Sequence, residues 1–136
     1  PPGARGRFFM SRILIIDDDP VLRNACARVL SAAGHEVACA ASGDEGLARV
    51  GSGPESVDLV LLDRLMPGMS GADVLEGLRA LAPDLPVIVI TGSATEESAA
   101  EILSRGARDC LPKPFNPTQL RRAVERALNP LASRNS

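Results

Sequence analysis

The chain has 136 residues, 45% of them hydrophobic, which is enough for one compact domain with its own core and leaves no room for a second. A net charge of -2 with scattered arginines lacks the basic footprint of a nucleic-acid binder, so direct nucleic-acid contact by this domain is not expected. The apolar runs are strand-length, well under the roughly 20 residues that span a bilayer, and the three cysteines show no Cys-x-x-Cys spacing, so a reducing cytoplasm without a membrane anchor is the expectation.

Residues 1–10 are rich in Gly, Pro and Arg and read as a disordered leader or an appended segment. From residue 11 to 128 short runs of branched apolar residues alternate with amphipathic segments, the pattern of repeated βα units and a parallel sheet covered on both faces. The first strand runs to about Ile16, and Asp19-Pro20 reads as an N-cap followed by proline at the first helical position. The helix that follows is expected to turn Val21, Leu22, Ala25 and Val29 inward and to stop at Gly34. His35, just beyond it, is expected to be partly exposed.

Glu36 to Ala40 reads as a weaker second strand, and a short helix beginning at Ser42 ends near Gly51. The third strand, Asp58 to Leu62, gives way at Met66-Pro-Gly-Met-Ser-Gly71 to a helix with Val74, Leu75, Leu78 and Leu81 facing in; Met66 and Met69 read as packing or loop residues. The fourth strand, Val87 to Ile90, precedes a helix from about Thr95 to Arg105 whose only large apolar residues are Ile102 and Leu103, leaving it little to bury. Asp109 to Leu111 forms a short fifth strand, and Pro117 to Leu128 a last helix that buries Leu120, Val124, Ala127 and Leu128 and leaves Arg121, Arg122 and Arg126 on a solvated face. Residues 129–136 read as a tail or the start of a linker.

Each strand except the second ends in a polar residue: Asp17 and Asp18 after the first, Asp63 after the third, Thr91 after the fourth and Lys113 after the fifth. In open parallel sheets ligands bind beyond the carboxyl ends of the strands. A silent second strand is explained if it lies at the outside, giving an α/β flavodoxin-like doubly wound sheet of order 2-1-3-4-5. Lys113 is the one lysine among 15 basic residues, the rest being arginine. A compact ammonium suits a phosphoryl group beside carboxylates better than a planar guanidinium.

Three carboxylates, Asp17, Asp18 and Asp63, at one sheet edge repel unless a cation or a proton relieves them. Mg²⁺, a hard cation that takes one or two carboxylates and keeps several waters, fits an open site of this kind. A carboxylate beside Mg²⁺ is a competent nucleophile toward phosphorus, and Asp63, alone at its strand end, is the candidate. Thr91 and Lys113 are placed to share the charge of the transferring group.

The motifs Ile-Leu-Ile-Ile-Asp-Asp-Asp-Pro, Leu-Leu-Asp-Arg-Leu-Met-Pro-Gly-Met-Ser-Gly, Ile-Thr-Gly and Leu-Pro-Lys-Pro-Phe occur in order between residues 11 and 128. With them the chain resembles the receiver domains of bacterial two-component response regulators. The resemblance implies that Asp63 is the phosphoacceptor, that Asp17, Asp18 and Asp63 with the main-chain carbonyl of Leu65 hold Mg²⁺, and that Thr91 and Lys113 contact the phosphoryl group. It implies a cis Lys113-Pro114 bond, which proline makes accessible. It further implies phosphoryl donation by a sensor histidine kinase or a histidine phosphotransfer protein, a conformational change that controls an output domain or partner, and a possible homodimer through helix four, strand five and helix five.

One position departs from the family pattern. Three residues before the lysine, where receivers usually carry an aromatic ring that follows the threonine inward, stands Cys110. As a switch residue it is too small to report that movement in the same way. Two other readings compete with the phosphorylated switch. A receiver-like interaction module would not use phosphorylation at all. An Mg²⁺-dependent phosphohydrolase would be favoured by Asp-x-Asp-x-Thr after the first strand, but Val21 stands four beyond Asp17.

Overall fold

The computed structural model describes residues 11–64, 66, 68–92 and 99–129. Expectations for residues 1–10, Leu65, the start of the fourth helix at Thr95 and the tail beyond Asn129 lie outside the described residues.

Five parallel strands form one sheet: β1 Arg12–Ile16, β2 Glu36–Ala40, β3 Leu59–Asp63, β4 Val87–Thr91 and β5 Asp109–Pro112. Their order is β2-β1-β3-β4-β5, as the silent second strand required. Five helices connect and cover them: α1 Pro20–Ala32, α2 Gly43–Ser52, α3 Gly71–Leu81, α4 Ala99–Ser104 and α5 Pro117–Leu128, with a 3-10 turn at Pro54–Ser56.

The two faces of the sheet follow from the period-2 alternation of the strands. Ile13, Ile15, Leu59, Leu61, Ile88 and Ile90 point to one side and pack with Cys26 and Leu30 of α1 and Leu120, Ala123, Val124 and Ala127 of α5. Leu14, Ile16, Val60, Leu62, Val87 and Val89 point to the other, against Val50 of α2, Val74, Leu75 and Leu78 of α3, and Ile102 of α4. β3 and β4 are buried at every position, so their sequences read as continuous apolar runs rather than alternating ones.

Local signals fix the helix ends. The Asp19 carboxylate accepts from the Val21 amide, Ser42 from Glu45 and Ser70 from Asp73. Asn116 and Gln119 cap α5 reciprocally, a capping box. Gly34 takes a positive φ of 100° just past α1, where an L side chain would be strained, and lets the His35 amide return to the Leu30 carbonyl.

Some details differ from the sequence reading. In α1 the buried positions are Cys26 and Leu30, while Val21 is 77% exposed and Ala25 faces solvent. The apolar stripe therefore lies about a quarter-turn from the expected face, with Leu22 and Val29 partly buried at its edge. Leu81 is 43% exposed at the end of α3, and Leu128 is only half-buried where Ala123 takes the core position instead. In the described part of α4 Ile102 is buried and Leu103 is exposed, as expected of a helix with little to bury.

His35 is buried, and its Nδ1 finds no hydrogen-bond partner. Burial lowers its pKa, with Glu125 opposing. In the pH range below the ordinary histidine value the unfolded chain therefore binds this proton more readily, and the contribution of His35 to stability falls as pH drops from about 6.5. Replacement by glutamine is expected to flatten that slope, which for one proton cannot exceed about 1.4 kcal/mol per pH unit; denaturant midpoints between pH 7.5 and 5.5 check this.

Candidate functional site

The alternation that builds the core also builds the site. Asp17 continues the Ile13-Ile15 row, Asp63 the Leu59-Leu61 row, and Lys113 lies two beyond Leu111 on the same side of the sheet. Parallel pairing brings these rows level: Ile16 lies opposite both Ala40 and Leu62, and Asp63 opposite Ile90. Three carboxylates thus meet, each of Asp17, Asp18 and Asp63 offering an oxygen within 4.8 Å of the others. Lys113 Nζ stands 3.4 Å from Asp63 Oδ1.

Asp17 is held tightly. Its amide donates to the Ala40 carbonyl at 3.1 Å, and its Oδ1 accepts from the Asp19 amide at 2.9 Å. Its Oδ2 is buried without a hydrogen-bond partner. Burial of this kind costs free energy unless something else satisfies the oxygen. Burial, with the nearby charges of Asp63 and Asp18, pushes the Asp17 carboxyl up to about 6 despite the Asp19 amide and Lys113. The Asp63 carboxyl is also raised by burial, against the pull of Lys113. Asp18 is exposed at the mouth. An orphaned buried carboxylate oxygen beside two further acids is the donor set of a hard divalent cation, and these residues fit Mg²⁺.

Thr91 closes the opposite side. It is buried at the end of β4, in the row of Val87 and Val89 rather than in that of Asp63, and its carbonyl accepts from the Lys113 amide at 2.8 Å. That bond anchors the start of the Lys113-Pro114 segment, whose peptide is cis as the resemblance implied. Cys110 shares the Thr91 side of the sheet, pairing in register with Val89 and packing half-buried against that cluster, with Sγ 4.0 Å from the Ala99 carbonyl of α4. The loop after Asp63 turns back through a bond from the Gly71 amide to the Arg64 carbonyl at 3.0 Å. A Cβ on Gly71 would stand 2.7 Å from the Arg64 backbone, so only glycine permits this return.

Met66 and Met69 are packing residues against the α2–α3 side. The sequence reading missed Arg23, whose Nη1 donates to the Asp17 carbonyl at 2.7 Å. One signal was available: a cation in the first turn of α1 runs against the helix dipole and needs a local reason.

A family model, the response regulator receiver domain, matches residues 13–125. The chain belongs to that family. The receiver is 39% identical over 119 residues to the tetrathionate response regulatory protein TtrR of Salmonella typhimurium, covering 88% of this chain and 57% of the relative. It is 36% identical over 117 residues to the DNA-binding transcriptional regulator NtrC of Azospirillum brasilense, covering 86% of this chain and 24% of that one. The chain therefore spans between 24% and 57% of the length of these two curated relatives. A response regulator receiver domain protein from Clostridium thermocellum superposes with a TM-score of 0.83 at 32% identity, covering 90% of this chain and 98% of that structure. This is a signalling domain of two-component systems, and among its described residues no helix is long and apolar enough to cross a membrane.

Proposed function

We propose that this receiver, residues 11–128, is a phosphorylation-operated switch in which Asp63 accepts a phosphoryl group from the phosphohistidine of a sensor histidine kinase or a histidine phosphotransfer protein. The observation that carries the reading is the pairing of Asp63 Oδ1 with the lone lysine at 3.4 Å inside a cluster of three acids. An Asp63 oxygen attacks phosphorus, the bond from phosphorus to the donor nitrogen breaks, and the imidazole leaves. Asp17, Asp18 and Asp63 would hold Mg²⁺, and the Leu65 main-chain carbonyl would be a further ligand. When bound, the cation neutralises negative charge so that an anionic phosphoryl group can approach carboxylates.

Lys113 then takes one phosphoryl oxygen and the Thr91 hydroxyl another, both fixed by the sheet ends that carry them. The added charge of about -1.5 to -2 shifts a balance between conformations, and Thr91 moving toward it loosens the α4 side of β5. The same site hydrolyses the aspartyl phosphate slowly, so the domain catalyses only its own modification. The conformational change controls an output domain or a partner in the cytoplasm, and the α4–β5–α5 face is a site for a homodimer. One observation favours a second reading, an interaction module indifferent to phosphorylation: Cys110, on the Thr91 side of the sheet, has no ring to follow the threonine.

Intact mass after incubation with a small acyl phosphate, with and without Mg²⁺, separates the two readings. A single phosphoryl adduct that requires Mg²⁺ is expected. Absence of an adduct while Mg²⁺ binds would leave the module.

A further inference from the structure

We infer that Arg23 is a positioning residue for the cation site, pinning the main chain of Asp17 so that its orphaned carboxylate oxygen stays aimed at Asp63 and Asp18; this rests on the reading of those acids as an Mg²⁺ site.

The Asp17 peptide is the hinge between the end of β1 and the start of α1. Its amide is fixed to β2 through the Ala40 carbonyl, and its Oδ1 to the Asp19 amide. Its carbonyl lies beyond the last strand residue and has no ladder partner there; the Arg23 guanidinium supplies one from the side at 2.7 Å, from a half-buried position. Arg23 reaches it because its own amide closes the first turn of α1 on the Asp19 carbonyl at 2.9 Å. One residue thus ties the helix start to the strand end. With amide, carbonyl and Oδ1 all engaged, Oδ2 is the one oxygen of Asp17 left without a partner. Without the arginine the Asp17–Asp18 peptide is free to turn, and the Asp19 amide that holds Oδ1 moves with it, so the carboxylate loses its fixed direction.

The sign of the effect isolates this role. Arg23 is a cation, so electrostatics alone predict that its loss strengthens binding of another cation. Positioning predicts the opposite, by the 10- to 100-fold typical when an outer partner of a metal ligand is removed, less the electrostatic gain. The Mg²⁺ affinity of Arg23→Ala, Arg23→Lys and the native chain is to be measured by titration calorimetry. A control, Arg28→Ala, removes an exposed arginine from the same helix. Arg23→Ala is expected to bind about 10-fold more weakly, Arg28→Ala as the native chain does, and Arg23→Lys, which keeps one donor, in between. The Asp17 carbonyl carbon and the Asp18 amide nitrogen should shift in Arg23→Ala by NMR and largely return in Arg23→Lys. Native Mg²⁺ binding that is unchanged or tighter in Arg23→Ala overturns the positioning role alone. Absence of Mg²⁺ binding by the native chain overturns the metal-site reading and this role with it.

Discussion

Asp63→Asn is expected to take up no phosphoryl group from an acyl phosphate under conditions that label the native chain completely. The amide keeps the size and the burial of the side chain but removes the nucleophilic oxygen charge, and among the described residues Asp63 is the carboxylate paired with the lysine, at 3.4 Å. Lys113→Ala is expected to keep the nucleophile and lose a donor aimed at the transferring group, slowing labelling by about 10²–10³-fold. Lys113→Arg should recover little of that, because a planar fork in place of a point charge cannot occupy the same gap between Asp63 and an incoming oxygen. Intact-mass time courses of the three variants read all of this directly. An adduct of undiminished yield in Asp63→Asn would move the acceptor to Asp17 or Asp18 and sink the assignment.

What the sequence displayed and what it hid have physical reasons. Ile13 to Ile16, Leu59 to Leu62 and Val87 to Ile90 are buried on both faces, and a strand of that kind leaves a continuous apolar run that is hard to mistake. The polar residues that follow the runs mark the strand ends to within one position, since Asp63 and Thr91 prove to be the last residues of β3 and β4. From there the meeting of Asp17, Asp18, Asp63 and Lys113 follows from strand order alone. Helix orientation was less legible. The choice between a stripe centred on Val21 and one centred on Cys26 depends on how α1 is rotated about its axis over the sheet, and a helix with apolar residues on adjoining faces leaves that open in its hydropathy pattern. Arg23 was overlooked for a related reason: its role lies in a side chain reaching back six residues to a carbonyl, and carbonyls carry no mark in a sequence. His35 reads as a loop residue after a helix-ending glycine, yet the tight return of its amide to Leu30 goes with a buried ring that feels the charge of Glu125.

Asp17→Asn is expected to reverse the order of stability between two conditions. Without Mg²⁺ at neutral pH the native chain carries a buried Oδ2 that no donor satisfies, with Asp63 and Asp18 repelling it. An asparagine keeps Oδ1 as the acceptor for the Asp19 amide and replaces the unpartnered Oδ2 by an uncharged N–H donor beside two acids. Relief of one unsatisfied buried carboxylate oxygen is worth about 1–3 kcal/mol, so the variant should melt roughly 5 °C higher. With Mg²⁺ at 100 times its dissociation constant the native chain gains about 2.7 kcal/mol, because only the folded state assembles the ligands. The variant, having lost the most buried of the acids, should gain almost nothing, and the native chain then melts at or above it. Scanning calorimetry of both proteins with and without Mg²⁺ reads the four melting points. A native chain indifferent to Mg²⁺, or a variant stabilised by it to the same degree, would show that Asp17 is not a ligand and that its free oxygen serves some other purpose. The crossover itself would show why a fold tolerates an acid in this place: the site is unstable by itself so that the cation, and through it the phosphoryl group, is what the folded state is built to hold.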